Sequence, residues 1–223
     1  VSDGIIAVGA YSDNAVGNDA GAVYIFTGSN TSSWIQAQKI VAFDGILQDE
    51  FGISVSLKNT TLVVGSRYSD VPGTPPLMYA NAGAIYVYEQ VVTPPAITPA
   101  FVNVAKRTAA DRQMNDYLGN SVSITDGLII GGAYGDDDYG TNSGSAYIFS
   151  GANFVTQTKI TASDAAANHN FGWSVSISQN TALVGARFKN SAAGSAYAYT
   201  YNGATWTQFG TILNPTNPGS ATS

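Results

Sequence analysis

"FGWSVSISQNTALVGARF", residues 171–188, reads as two short strands joined by a polar turn. In its first half Phe171, Trp173, Val175 and Ile177 alternate with Gly172, Ser174 and Ser176. Successive strand side chains point to opposite faces, so this pattern predicts one bulky face and one small, polar face. A close copy, "FGISVSLKNTTLVVGSRY", occupies residues 51–68, and a looser one, "LGNSVSITDGLIIGGAY", occupies 118–134. A phrase written several times in one chain is a sign of repeat architecture.

Three further phrases recur in fixed order. An apolar run ends in glycine and a small residue at 5–10, 62–66, 128–133 and 182–186. A G-A/S-x-Y phrase follows at 21–26, 83–88, 144–149 and 194–199. A weaker phrase sets an aromatic residue five positions before a lysine: Trp34 to Lys39, Phe101 to Lys106 and Phe154 to Lys159. Trp206 with Thr211 keeps the spacing without the lysine. Each repeat therefore holds four strand-length segments bounded by turn residues. The repeats are spaced 67 and 53 residues apart, and the longer step contains inserts at 69–82 and 91–100. Both inserts carry prolines, which cannot donate to a sheet ladder, so they are expected to be loops. Four strands per repeat at a period near 50 fit the blades of a β-propeller. Small residues on one blade face would make room for bulky ones from the next.

The motifs resemble the FG-GAP repeat family, whose repeats form the propeller of integrin α subunits. "FGISVS…LVVGS" and "FGWSVS…ALVGA" carry the Phe-Gly and Gly-Ala of that name. The reading is an all-β fold, a propeller of four-stranded antiparallel blades with about four blades in this chain. Their expected bounds are 1–50, 51–117, 118–170 and 171–213, with a tail over 214–223. Aligning "VSDGIIAVGA" (1–10) on "ITDGLIIGGA" (124–133) leaves the first blade without its F-G-x-S strand. The resemblance implies propellers that usually have seven blades. The chain is thus expected to be part of a larger propeller or a unit completed by a neighbouring chain, because bare strand edges are rarely left uncovered. A strand lent by a neighbour would be β-augmentation.

Composition narrows the function. Charged residues are 11%, the net charge is −6, and Lys plus Arg total nine. No basic cluster offers a surface for nucleic acid. No run of about 18 apolar residues spans a bilayer. There is no cysteine, hence no disulfide and no thiol nucleophile. No G-x-S-x-G elbow, H-E-x-x-H or Walker loop is present. The single histidine, His169, reads as a surface turn residue.

Candidate sites are acidic and aromatic. In integrin-type repeats the resemblance implies a D-x-D-x-D-G calcium loop between the first two strands. Here those loops read "KNTT", "TDG" and "SQNT", so that site is not carried over. Acid gathers instead after the Gly-Ala phrase, at Asp13 and at Asp136, Asp137 and Asp138. Asp44, Asp111 and Asp164 each lie seven residues before an F/L-G. Hard oxygens of this kind suit calcium, and equally they close turns through side-chain hydrogen bonds. Tyr11, Tyr68, Tyr134 and Phe188 follow the Gly-Ala phrase and are candidates for a binding rim. Asn30 and Asn59 begin N-x-S/T sequons, which are glycan acceptors in a secretory route.

The expected function is a non-enzymatic extracellular or cell-surface module for adhesion or structural assembly, such as a subunit of a surface fibre. Expected partners are other protein subunits, through self-assembly or strand complementation, or carbohydrate. The alternatives are a carbohydrate-active enzyme or a ligand-binding receptor ectodomain using the acidic and aromatic loops.

Overall fold

The computed structural model describes residues 2, 4–29, 33–72, 78–91, 100–190 and 193–213, the last three by their backbone alone. Four antiparallel sheets follow one another along the chain. Blade 1 is β1 (Ile5–Ala10), β2 (Ala22–Thr27) and β3 (Ile35–Ile40). Blade 2 is β4 (Phe51–Lys58), β5 (Thr61–Ser66), β8 (Ala84–Val91) and β9 (Ala100–Arg107). Blade 3 is β10 (Ser121–Thr125), β11 (Leu128–Ala133), β12 (Ser145–Ser150) and β13 (Thr156–Ile160). Blade 4 is β14 (Phe171–Ser178), β15 (Thr181–Ala186), β16 (Ser195–Tyr201) and β17 (Trp206–Leu213). Within each sheet the strands lie in chain order. First strands β4, β10 and β14 pack on one another, while the last strands β3 and β9 barely meet. The blades therefore converge at their first strands and splay at their last, which is the radial layout of a propeller. Among the described residues no closed barrel forms, and blade 1 shows three strands.

The core lies between blades. Ile5, Val23 and Ile25 of blade 1 pack with Phe51, Leu62, Val64 and Tyr86 of blade 2. Val63, Ile85 and Val87 of blade 2 meet Leu118, Ile129 and Tyr147 of blade 3. Ile130, Ala146 and Ile148 of blade 3 meet Phe171, Val184 and Tyr197 of blade 4. Blades 2 and 3 thus bury both faces, and alternate residues of one strand serve different junctions.

Two backbone devices register the blades. At the first junction the N–H groups of Gln48, Glu50 and Phe51 donate to the carbonyls of Asn18, Asp19 and Ala20. The same trio recurs as Asn115, Tyr117 and Leu118 onto Ala80, Asn81 and Ala82, and as Asn168, Asn170 and Phe171 onto Thr141, Asn142 and Ser143. The second device is the glycine of the Gly-Ala phrase. A Cβ on Gly132 would lie 1.8 Å from the carbonyl oxygen of Gly172, and one on Gly65 1.9 Å from that of Gly119. Both glycines of the repeated phrase exist so that one blade's backbone can touch the next.

The serines add a third link. The Ser54 hydroxyl donates to Gly119 O across the junction. Ser56 accepts the N–H of Ile124, Ser121 that of Val175 and Ser123 that of Ile177. First strands have one unpaired edge, and these hydroxyls satisfy it. The small face was expected only to make room; its serines also hydrogen-bond.

Two expectations need correcting. The insert 69–82 is not all loop, because β6 (Val71–Pro72) pairs with β7 (Met78–Tyr79). Proline is tolerated there because the pair is two residues long and stands at an edge. Of the insert 91–100, the ends belong to β8 and β9, and 92–99 lie outside the described residues. Trp173 does not share the core face of Phe171. The register between β14 and β15 shifts between Phe171 and Ser174, with Gly172 at φ 89°. This bulge re-aims the indole out of the core, a common use of the device.

Candidate functional site at the blade junctions

The acidic residues converge on the tyrosines of the G-A/S-x-Y phrase. Tyr86, Tyr147 and Tyr197 have fully buried side chains in the third main strand of their blades. Each hydroxyl donates to a carboxylate from the preceding blade: Tyr86 to Asp44 at 2.8 Å, Tyr147 to Asp111 at 2.9 Å and Tyr197 to Asp164 at 2.7 Å. A lysine completes each group. Lys106 pairs with Asp44 and Lys159 with Asp111, both at 2.8 Å, and Lys189 pairs with Asp164. In blade 1, Tyr24 and Lys39 both meet Asp13. The result is a carboxylate–tyrosine–lysine staple at each described junction, tying a loop of one blade to the sheet of the next.

The lysine does not always come from the same place. Lys39, Lys106 and Lys159 sit on the last strands β3, β9 and β13. In blade 4 that position is Thr211, and Lys189 supplies the ammonium from the loop after Gly-Ala. The equivalent loop position holds Asp13, Ser69 and Asp136 in the other blades. Ser69 takes part too, receiving a hydrogen bond from Lys106.

Blade 3 carries the densest group. Among the described residues, Asp111, Asp136 and Asp138 are the one set of metal-ligand types whose oxygens come within 4.8 Å of one another. Lys159 Nζ lies 2.8, 2.7 and 2.6 Å from the three carboxylates. The ammonium stands at the point where a cation would be held, so calcium there has to displace it. Asp137 faces away and closes its own loop by accepting the Asn142 N–H.

The charges respond to these contacts. Hydrogen bonds from Lys39, then from Tyr24, lower Asp13 to about 2. Burial pulls Asp111 upward, yet bonds from Lys159 and Tyr147 leave it below its ordinary value. Asp44 and Asp164 follow the same pattern. Burial alone would lower Lys159, but the three carboxylates raise it well above the usual lysine range. These acids stay ionised, and the tyrosines between them stay protonated.

Asp49 and Asp116, two residues before the F/L-G, behave oppositely. Both are 2% exposed, and each accepts one backbone N–H from three residues earlier. Burial raises Asp49 to about 6 and Asp116 to about 7. A carboxylate raised on folding destabilises the protein progressively as pH rises from its unfolded value to its folded one. Asp116→Asn keeps the acceptor and removes the charge. It is expected to add about 2 kcal/mol at pH 8 and almost nothing at pH 4, read by thermal melting at both pH values. An equal shift at both would show that burial of charge is not the cause.

The aromatic candidates are partly gathered. Tyr68, Tyr134 and Phe188 belong to one chain of rings, linked through Tyr117 and Trp173. Tyr117 and Tyr134 stack at 4.9 Å, and Tyr134 meets Trp173 at 4.7 Å. Guanidinium groups sit at both ends, Arg67 over Tyr68 and Arg187 over Trp173 and Phe188. Beside Tyr68 and Tyr117 lies an open cleft of about 340 Å³ that also includes Asp19, Glu50 and Asn81. Tyr11 is exposed and lies apart from this row, in a shallow cleft with Asp13 and Tyr24. Tyr117 and Trp173 were missed by reading only the residues after Gly-Ala; they flank the L-G and F-G instead. Asn59 stands in the exposed β4–β5 turn, and Asn30 lies outside the described residues.

The FG-GAP repeat model matches residues 34–88, 101–149 and 154–199, more than half of the chain. The chain belongs to the FG-GAP repeat family. No curated protein matches it. The matched spans run from the last strand of one blade to the third main strand of the next, so each family repeat crosses a blade junction. The junction features above are thus what the FG-GAP repeat of this chain encodes. No helix is long and apolar enough to cross a membrane among the described residues.

Proposed function

We propose that this FG-GAP chain is a non-enzymatic propeller module at the cell surface, acting in adhesion or structural assembly. The observation that carries this is where its reactive-looking groups go. Asp13, Asp44, Asp111, Asp136, Asp138 and Asp164 are each bonded to a lysine, and all but Asp138 also to a tyrosine hydroxyl, within blade 1 for Asp13 and at the blade junctions for the others. Asp49 and Asp116 have raised values of the kind general acids show, but both are buried in turns that a substrate does not reach. Polar chemistry is spent on holding blades in register, which suits a rigid scaffold. Labelling of intact, unpermeabilised cells with an antibody to this chain is expected to decorate their surface. Label that enters only after permeabilisation would sink the reading.

The receptor reading is favoured by one observation, the row of five rings with flanking guanidiniums. Such a platform suits the apolar faces of sugars. Carbohydrate binding lost in Tyr134→Ala would support it over a purely structural role.

A further inference from the structure

We propose that the cleft beside Tyr68 and Tyr117 binds a polysaccharide of amine-bearing sugars, with the ammonium of one sugar on Asp19. This rests on the receptor reading above and names its ligand. The cleft, about 340 Å³, is bordered by Asp19, Gln48, Glu50, Tyr68, Asn81 and Tyr117. Small-ligand sites have volumes of this order.

The backbone shows that these side chains are kept for their own sake. Asp19, Gln48, Glu50, Asn81 and Tyr117 all stand at positive φ, from 52° to 68°. The junction of blades 3 and 4 has the same left-handed positions, and there they hold Asn142, Asn168 and Asn170. Asparagine takes this conformation readily, because its short amide bonds locally; glutamine, glutamate and tyrosine take it at greater cost. The junction itself does not call for them, since the same backbone trio pairs at all three described junctions. Strained positions of this kind persist where side chains serve a site such as a ligand clamp.

Charge defines one part of the ligand. Glu50 is paired, because Arg67 donates to it at 2.8 Å while also bonding Asn120 and lying over the Tyr68 ring. Asp19 accepts the Asn18 amide at 3.1 Å, and among the described residues no lysine or arginine forms an ion pair with it. The Glu50 N–H donates to Asp19 O, so the two acids are neighbours. Burial and, to a lesser degree, Asp19 raise Glu50 despite Arg67. The cleft thus holds one carboxylate more than it has cations. An ammonium would neutralise it through charge-assisted bonds, and a phosphate or carboxylate ligand would be repelled.

The other walls define the rest. Tyr68 and Tyr117 meet edge to face at 5.5 Å, a corner that suits the apolar face of a sugar ring. Gln48 is exposed, and Asn81 donates its NH2 to Asn115, leaving its amide oxygen as an acceptor. Such amides serve sugar hydroxyls. A neutral sugar would leave Asp19 unpaired, and a bare alkylamine would leave the rings and amides unused.

The test titrates three probes into the whole protein by calorimetry, in mildly acid buffer that keeps amines charged. They are a β-1,4-linked glucosamine tetramer, its fully N-acetylated counterpart and tetralysine. The glucosamine tetramer is expected to bind saturably, at least about tenfold tighter than either other probe. Asp19→Asn is expected to melt with the parent, because Asn81 and Asn142 already stand at the equivalent positions. It should bring the two sugar tetramers within about threefold of each other, and Tyr68→Ala should weaken both. No binding of the glucosamine tetramer up to about 1 mM overturns the proposal. So does equal binding of the N-acetylated tetramer or of tetralysine, or discrimination that survives Asp19→Asn. If both sugar tetramers bind equally and Tyr134→Ala abolishes both, the receptor reading stands and this ligand assignment falls alone.

Discussion

Replacing Gly132 by alanine is expected to prevent blades 3 and 4 from packing and to leave little soluble, folded protein. The added Cβ would stand 1.8 Å from Gly172 O and 2.8 Å from its carbonyl carbon. Both neighbours are backbone, so no side-chain rotation relieves the clash. Gly172 cannot retreat easily. It sits in the β14 bulge, directly after Phe171, whose N–H is held by Ser143 O. Overpacking a flexible core costs about 1–3 kcal/mol. Here a rigid junction must part, which exceeds about 4 kcal/mol against a typical total of 5–15. Gly185→Ala supplies the control, since it faces a rotatable hydroxyl and is expected to change stability by less than about 1 kcal/mol. Circular dichroism melts of the two variants check this. Similar melting temperatures would show that close backbone approach is not what this glycine serves.

That contrast also shows how far the sequence could be read. The repeat phrases located the strands because alternation and turn residues carry strong signals in four copies. The need for glycine at Gly65 and Gly132 was not legible, since it arises from a carbonyl in another blade, 40 or more residues onward. Trp173 was misplaced because a bulge breaks strict alternation without any mark beyond a Gly. The staple was half visible. The aromatic-to-lysine spacing and the aspartates seven residues before F/L-G were both seen, but as separate features. Only the fold brings Lys106 of β9 to Asp44 in the preceding loop. The absence of a lysine at 211 looked like decay of the repeat, when the ammonium reaches the tyrosine from Lys189, in the loop after Gly-Ala. Linear spacing records who is near in the chain, whereas a staple depends on who is near in space.

Lys159→Met is expected to destabilise the protein by about 3 kcal/mol, because it strands a carboxylate group that this one ammonium neutralises. Asp136 has a side chain only 4% exposed, while Asp111 and Asp138 are 46% and 41% exposed. Removing one partner of a fully buried pair costs about 3–5 kcal/mol, and the exposed members moderate that toward the lower figure. For a chain of this size the melting temperature should fall by about 6–12 °C. Lys39→Met is the comparison, since Lys39 meets a single carboxylate and is 32% exposed. Its loss should lower the melting temperature far less, because solvent screens that pair. The deficit of Lys159→Met should depend on pH with a definite sign. Asp111 is held below its ordinary value by Lys159, so that stabilisation is present above the unfolded value near 4 and is lost as pH falls below it through the lowered folded value. Parent and variant should therefore converge in acid, once pH has fallen below that lowered value. Calcium should separate them in the other direction. In the variant three carboxylates surround a vacated position, and an ion bound only by the folded state raises the melting temperature. In the parent Lys159 already fills that position, and no rise is expected. An equal calcium response in both proteins would mean that the lysine does not stand in for the ion, and the acidic loop would return as a metal site.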